Sequence, residues 1–277
     1  MTDVIVHFYF WFDLILVSVI GLCVGSFLNV VIYRIPLSYT CHGGGMSVAF
    51  PPSHCPVCKH SIPARDNIPL VSYILLKGRC RFCHERINVL YPVTEGATFI
   101  AFICFYMLFF NTDIVLFLLS VFLFCLLYVI SIIDFRYYII PDRLLLVLFG
   151  GGVVYSYLYG NIIYDALGLV IYFLIFAIIV FACESFSDKQ ILGMGDIKFY
   201  LSVVPWAGGL NFPFVMLISS IAGLCLAGIW KLYVKKIYVS NELTKDIDEN
   251  RFIPFGPAIA VALLIVYLAG LLRYYLL

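Results

Sequence analysis

Two kinds of residue in this chain have the type and spacing for chemistry: paired cysteines and isolated aspartates. Cys55-Pro-Val-Cys58 and Cys80-Arg-Phe-Cys83 are two C-x-x-C knuckles separated by 21 residues. Each knuckle offers two thiolates from one turn. A chain that folds back between them completes a four-sulfur tetrahedral site of the kind zinc occupies. The competing reading is two disulfides or redox cysteines, which a reducing compartment disfavours. His42, His54, His60 and His84 share the segment and are alternative ligands. Four cysteines already make a closed site, so the metal is expected to be structural and to shape the segment without a large core. Cys41 has no assignment, and Cys23, Cys104, Cys125, Cys183 and Cys225 read as packing residues within apolar runs.

Asp134 ends an apolar run and opens the string Asp134-Phe-Arg-Tyr-Tyr-Ile-Ile-Pro141-Asp142, and Asp196 closes Gly193-Met-Gly195-Asp196. Two carboxylates brought close together cannot both ionise easily. One that stays charged and one that keeps a proton suit a water attack on a peptide carbonyl, as general base and general acid. Gly193 and Gly195 would let the backbone bend and approach an extended peptide. Lys198 is either an interfacial anchor or a charge partner for the site. The plainer readings are a cap for Asp142 behind Pro141, an interface marker for Asp134 and a cap for Asp196.

The elements that must position these residues follow from composition. Hydrophobic residues are 64% of the 277 and charged ones 12%, too little charge and too much apolar surface for one soluble core. The pattern predicts an all-α polytopic membrane protein with about eight transmembrane helices, at 11–33, 91–111, 114–133, 142–159, 162–183, 196–209, 213–234 and 256–275. The short helix at 196–209 is the least typical. With eight spans, 16 of the 17 basic residues fall on one side and only Arg273 near the other. The basic side is cytoplasmic, which puts the cysteine segment, Asp134 and Asp196 at one membrane face. The first apolar stretch lacks a basic leader and reads as a retained span. No nucleic-acid partner is expected, and the oligomeric state is left open.

Together the motifs resemble the type IV prepilin leader peptidase and N-methyltransferase family of GxGD aspartic membrane proteases. The resemblance rests on Gly25-Ser-Phe-Leu-Asn29 through Arg34-Ile-Pro36, the two knuckles, Asp66-Asn-Ile-Pro69 and Tyr91-Pro92-Val-Thr-Glu95. It continues through the Asp134 string, Gly193-Met-Gly195-Asp196-Ile-Lys198 and Pro254-Phe-Gly-Pro257. It implies that Asp134 and Asp196 are the catalytic pair, with Gly193, Gly195 and Lys198 in support. It implies cleavage of a basic leader from prepilins or pseudopilins at the bacterial inner membrane, before the substrate's hydrophobic helix. In two-activity members the new N-terminus is then methylated from S-adenosylmethionine, and the four-cysteine loop is typical of those members.

On this reading 1–35 is the first transmembrane helix, 36–90 the cytoplasmic zinc loop and methyltransferase part, and 91–277 the peptidase core. The rival is a peptidase with a purely structural zinc loop; further rivals are a protease cutting within spans and a proton-relay transporter or sensor. Glu95 is either a methyl-transfer residue or a polar helix-start residue. The stretch 39–50, with Gly43, Gly44 and Gly45, reads as a flexible turn, and 234–251 as a solvated loop.

Overall fold

The computed structural model describes residues 2–40, 53–109, 113–186, 193–240 and 254–276. Cys41, His42, the three glycines at 43–45, Lys189 and most of the expected loop at 234–251 lie outside the described residues. Among those described, the chain is helical: α1 (Thr2–Thr40), α2 (Val71–Leu75), α3 (Leu90–Phe109), α4 (Ile114–Tyr137), α5 (Asp142–Tyr159), α6 (Ile162–Phe186), α7 (Met194–Ala207), α8 (Phe212–Ser240) and α9 (Gly256–Leu276). Among the described residues, α1 and α3 to α9 each overlap one of the expected apolar segments. The largest difference is α1, which continues past Arg34 and includes Pro36. Five segments are long and apolar enough to cross a membrane: Phe10–Leu37, Leu90–Phe109, Ile114–Tyr137, Ile162–Ala182 and Phe212–Ile229. The chain is therefore a multi-pass membrane protein by length and composition.

The helices form two compact units, Met1–Cys125 and Leu126–Leu277. In the first, α1 packs on α3. Gly25 makes this possible, because a Cβ there would run into the Thr98 hydroxyl and the Glu95 backbone. Small residues at such positions let helix backbones approach where water provides no driving force. The Asn29 side-chain amide donates to the Tyr91 carbonyl at 3.1 Å. Phe102, Phe105 and Phe109 are buried along α3. Because α3 packs on α1, the compact division falls within α4.

In the second unit, α7 packs against α5, α6 and α9. It has only 14 residues, about 21 Å at ~1.5 Å per residue and short of ~30 Å of hydrocarbon. It is buried in protein instead: Phe199, Val203 and Val204 have no exposed surface. The Trp206 indole lies against Gly152 and donates to the Leu148 carbonyl at 2.8 Å. Beyond the C-terminal end of α7, the buried Asp165 carboxylate accepts from the Gly209 N–H at 2.8 Å and from the Ser156 hydroxyl at 2.5 Å. These bonds pin α5, α6 and the turn between α7 and α8 with no partner left over.

Candidate active site and metal centre

The last turn of α4 carries Asp134, which is 5% exposed. The Tyr138 N–H donates to the Asp134 carbonyl at 2.9 Å and Tyr138 takes a φ of 55°, so the helix ends in a left-handed turn. The chain restarts at Pro141, the N-cap of α5. The string after Asp134 is thus a helix stop and start.

Asp196 lies in the first turn of α7, three residues past Gly193 at the N-cap. The Asp134 and Asp196 carboxylates are close enough for their charges to interact. A third helix joins them. The Gly256 N–H, at the start of α9, donates to Asp134 Oδ2 at 2.7 Å. It is one of the N-terminal donors that an α-helix leaves without an internal partner, and helix N-termini favour carboxylates.

The glycines around this site have separate reasons. A Cβ at Gly256 would stand 2.8 Å from Asp134 Oδ2, so a side chain there displaces the carboxylate. A Cβ at Gly193 would stand 3.0 Å from Asp196 Oδ2, a tight contact. At Gly195 it would meet the Ile140 side chain at 3.4 Å, which is ordinary packing. Phe255 lies over Gly223, where any Cβ would strike its ring. Tyr200, one turn beyond Asp196, shares a 2.6 Å hydrogen bond with the Ser219 hydroxyl and ties α7 to α8.

Lys198 reaches the other way. Its ammonium donates to both Asp142 oxygens, at 2.9 and 3.0 Å, in an exposed pair. Asp142 therefore works as the ionic partner of Lys198 at the head of α5. Gly256 was the residue missed in the sequence. Pro254-Phe-Gly-Pro257 carried a signal, but nothing local ties it to an aspartate 122 positions away.

The candidate metal centre belongs to the first unit. The ligand atoms of Cys55, Cys58, Cys80 and Cys83 all lie within 4.8 Å of one another, and Cys55 and Cys83 sulfurs are 3.8 Å apart. Tetrahedral zinc–thiolate bonds of ~2.3 Å require sulfurs about 3.8 Å apart, so the four thiols fit a closed metal site. The two knuckles repeat one another. Cys55 N–H donates to the His60 carbonyl and Lys59 N–H to the Cys55 carbonyl, both at 2.9 Å. Cys80 N–H donates to Glu85 and His84 N–H to Cys80 in the same pattern. Lys59 and His84 occupy the matching left-handed position, with φ of 59° and 58°. The backbone N–H groups of Cys83, first, and Phe82 pull the Cys80 thiol down, while, against the pull of the Glu85 N–H, burial and the neighbouring sulfurs push the Cys83 thiol up, so the sulfurs share their protons as one cluster. His60 stacks on Phe82 with ring centroids 3.8 Å apart. Among the described residues no histidine joins the sulfur cluster.

Glu95 is buried six positions into α3, and its Oε2 accepts the Leu70 N–H at 2.8 Å. It therefore holds the loop as well as sitting near the helix start.

The fold and the two sites define a polytopic helical membrane protein with a paired-aspartate centre and a four-cysteine loop. Residues 19–109 match the Bacterial Peptidase A24 N-terminal domain and residues 120–228 the Type IV leader peptidase family. The chain is 32% identical over 271 residues to the prepilin leader peptidase/N-methyltransferase of Pectobacterium carotovorum, covering 91% of this chain and 90% of the relative. The enzyme of that name in Vibrio cholerae is 31% identical over 257 residues, covering 92% and 96%. A type 4 prepilin-like proteins leader peptide-processing enzyme of Escherichia coli is 34% identical over 238 residues, covering 78% and 85%. No solved structure matches. The chain belongs to the type IV leader peptidase family.

Proposed function

We propose that this chain removes the leader from type IV prepilins or pseudopilins at the cytoplasmic face of the inner membrane and then N-methylates the new terminus. The reading is supported by Asp134 and Asp196, carried on separate helices, lying within electrostatic reach of one another, in a chain alike to named leader peptidase/N-methyltransferases along nine-tenths of its length. One carboxylate takes the proton of the attacking water while the other gives a proton to the leaving amine. The Gly256 N–H keeps Asp134 in a fixed orientation. Gly193 keeps the flank of Asp196 clear, and Lys198 braces α7 on α5 through Asp142.

The basic asymmetry supports eight spans with the loop and both aspartates cytoplasmic. A prepilin helix is itself a span, so its scissile bond would lie at that interface. The four cysteines suit zinc, which when bound supplies a closed structural centre and no open position for substrate. S-adenosylmethionine is the methyl donor this reading requires.

The test is incubation of the purified protein with a prepilin and S-adenosylmethionine, followed by the mass of the product. Loss of the leader plus one methyl group is expected. A product that stays unmethylated under excess donor rules out the second activity, and an uncut substrate rules out the first.

A further inference from the structure

The segment at 68–75 has an unusual combination of depth, exposure and internal bonding. α3 has 20 residues, about 30 Å at ~1.5 Å per residue and the thickness of the hydrocarbon layer. Leu90 then stands at one edge of that layer, and Glu95 about 7.5 Å further in. The bond from the Leu70 N–H to Glu95 draws the turn before α2 down to the level of a span's first turns.

The side chains there are apolar on the open side. Ile68, Val71, Ile74 and Leu75 are 49, 48, 71 and 75% exposed, while Ser72 points inward at 6%. Val71 and Leu75 lie one turn apart on α2, and Ile68 lies in the turn just before it. A solvated face would be polar; an interfacial one carries such residues. Much of the backbone here is paired within the protein. Ile68 N–H donates to Ser72 Oγ, Val71 N–H to the Pro69 carbonyl, and Ser72 N–H to the Ile68 carbonyl. Ile74 and Leu76 N–H groups donate within the helix turn. Internal pairing of this kind is what a segment entering a low-dielectric boundary requires. Around it, residues 53–89 carry six basic and two acidic side chains, a balance suited to anionic headgroups.

We propose that α2 and the turn before it form an interfacial membrane segment: Ile68, Val71, Ile74 and Leu75 lie in the boundary between acyl chains and headgroups, and Glu95 holds them there. The four-cysteine knuckles are thereby kept against the bilayer face. Only the use of this placement for methylating a cut substrate rests on the function proposed above.

The experiment uses the full chain in vesicles of phosphatidylcholine and phosphatidylglycerol. The photoreactive residue p-benzoylphenylalanine replaces Ile74 or, as a control on the first knuckle, Lys59. After illumination, lipid adducts are read by intact mass. Adducts at position 74 several-fold above those at 59 are expected, with a clear fall when Glu95→Leu is added. Equal yields at 74 and 59, or reaction at 74 with added prepilin but not with lipid, would overturn the docking. An unchanged yield in Glu95→Leu would overturn the role of Glu95. Loss of peptidase activity in the same preparation bears on the proposed function and leaves the adduct measurement intact.

Discussion

Between residues 53 and 89 only Cys55 and Ser72 are buried, whereas nine of the 14 residues of α7 are. The knuckle loop has almost no apolar core, so its shape depends on four sulfurs, a few turn hydrogen bonds and the Glu95 tether. The aspartate site depends on helix packing close enough that glycines face carboxylates and rings. A protein can therefore lose the order of one region and keep the other, and the consequences of damage should separate cleanly.

The sharpest separation should come from the metal. Structural zinc in small zinc-finger peptides is worth about 10–16 kcal/mol of apparent binding energy, far more than this loop's buried surface provides. Cys55→Ser, or chelation, should remove the metal and abolish hydrogen-exchange protection at the Cys55 and Cys80 N–H groups. Circular dichroism should change little, because the long helices remain. Retained protection without metal would mean that the loop has a core of its own.

Gly256→Ala probes the other side. The added methyl must push the Asp134 carboxylate, and misplacement of a reacting group by about 1 Å can cost roughly 10²-fold in rate. Cleavage should fall by about that factor while metal content stays at wild type. An unchanged rate would show that the α9 contact does not orient Asp134.

The smallest effect concerns the loop's ion pair. Arg81 donates to both Asp66 oxygens at 2.6 Å. The hydrogen bond from Arg81, with its charge behind it, holds Asp66 below the usual carboxylate range. A lowered folded-state value stabilises the loop in full above the ordinary aspartate range, and the effect is lost as pH falls through the lowered value. Arg81→Ala should slightly weaken loop protection at neutral pH and make no difference in strong acid, without touching cleavage. A larger difference in acid than at neutrality would reverse the assigned sign.

Much of this was legible in the sequence because it is local. The apolar runs gave helix starts at 142, 162 and 256 that match α5, α6 and α9, and C-x-x-C spacing announced the knuckles. The turn pattern shared by Lys59 and His84 was not visible, because side-chain identity differs where the backbone repeats. Contacts between distant positions were also hidden: Gly256 with Asp134, Lys198 with Asp142, Glu95 with Leu70. Each joins a backbone group or side chain across many residues, where periodicity carries no information. Asp165 escaped notice for the same reason, since Ser156 and Gly209 become its partners only when three helices meet. The length of α1 was missed because Arg34 and Pro36 look like an end, yet Arg34 is buried and the helix continues.

The central claim is that Asp134 and Asp196 act as one pair while the loop serves a separate step. It is tested most directly by assaying Asp134→Asn and Asp196→Asn for prepilin cleavage and, in the same preparations, for methylation of a pre-cut substrate. Each variant should lose cleavage by about 10²- to 10⁴-fold, the range expected for a lost general acid or base, and still methylate. Cleavage near the wild-type rate in either variant would contradict the account.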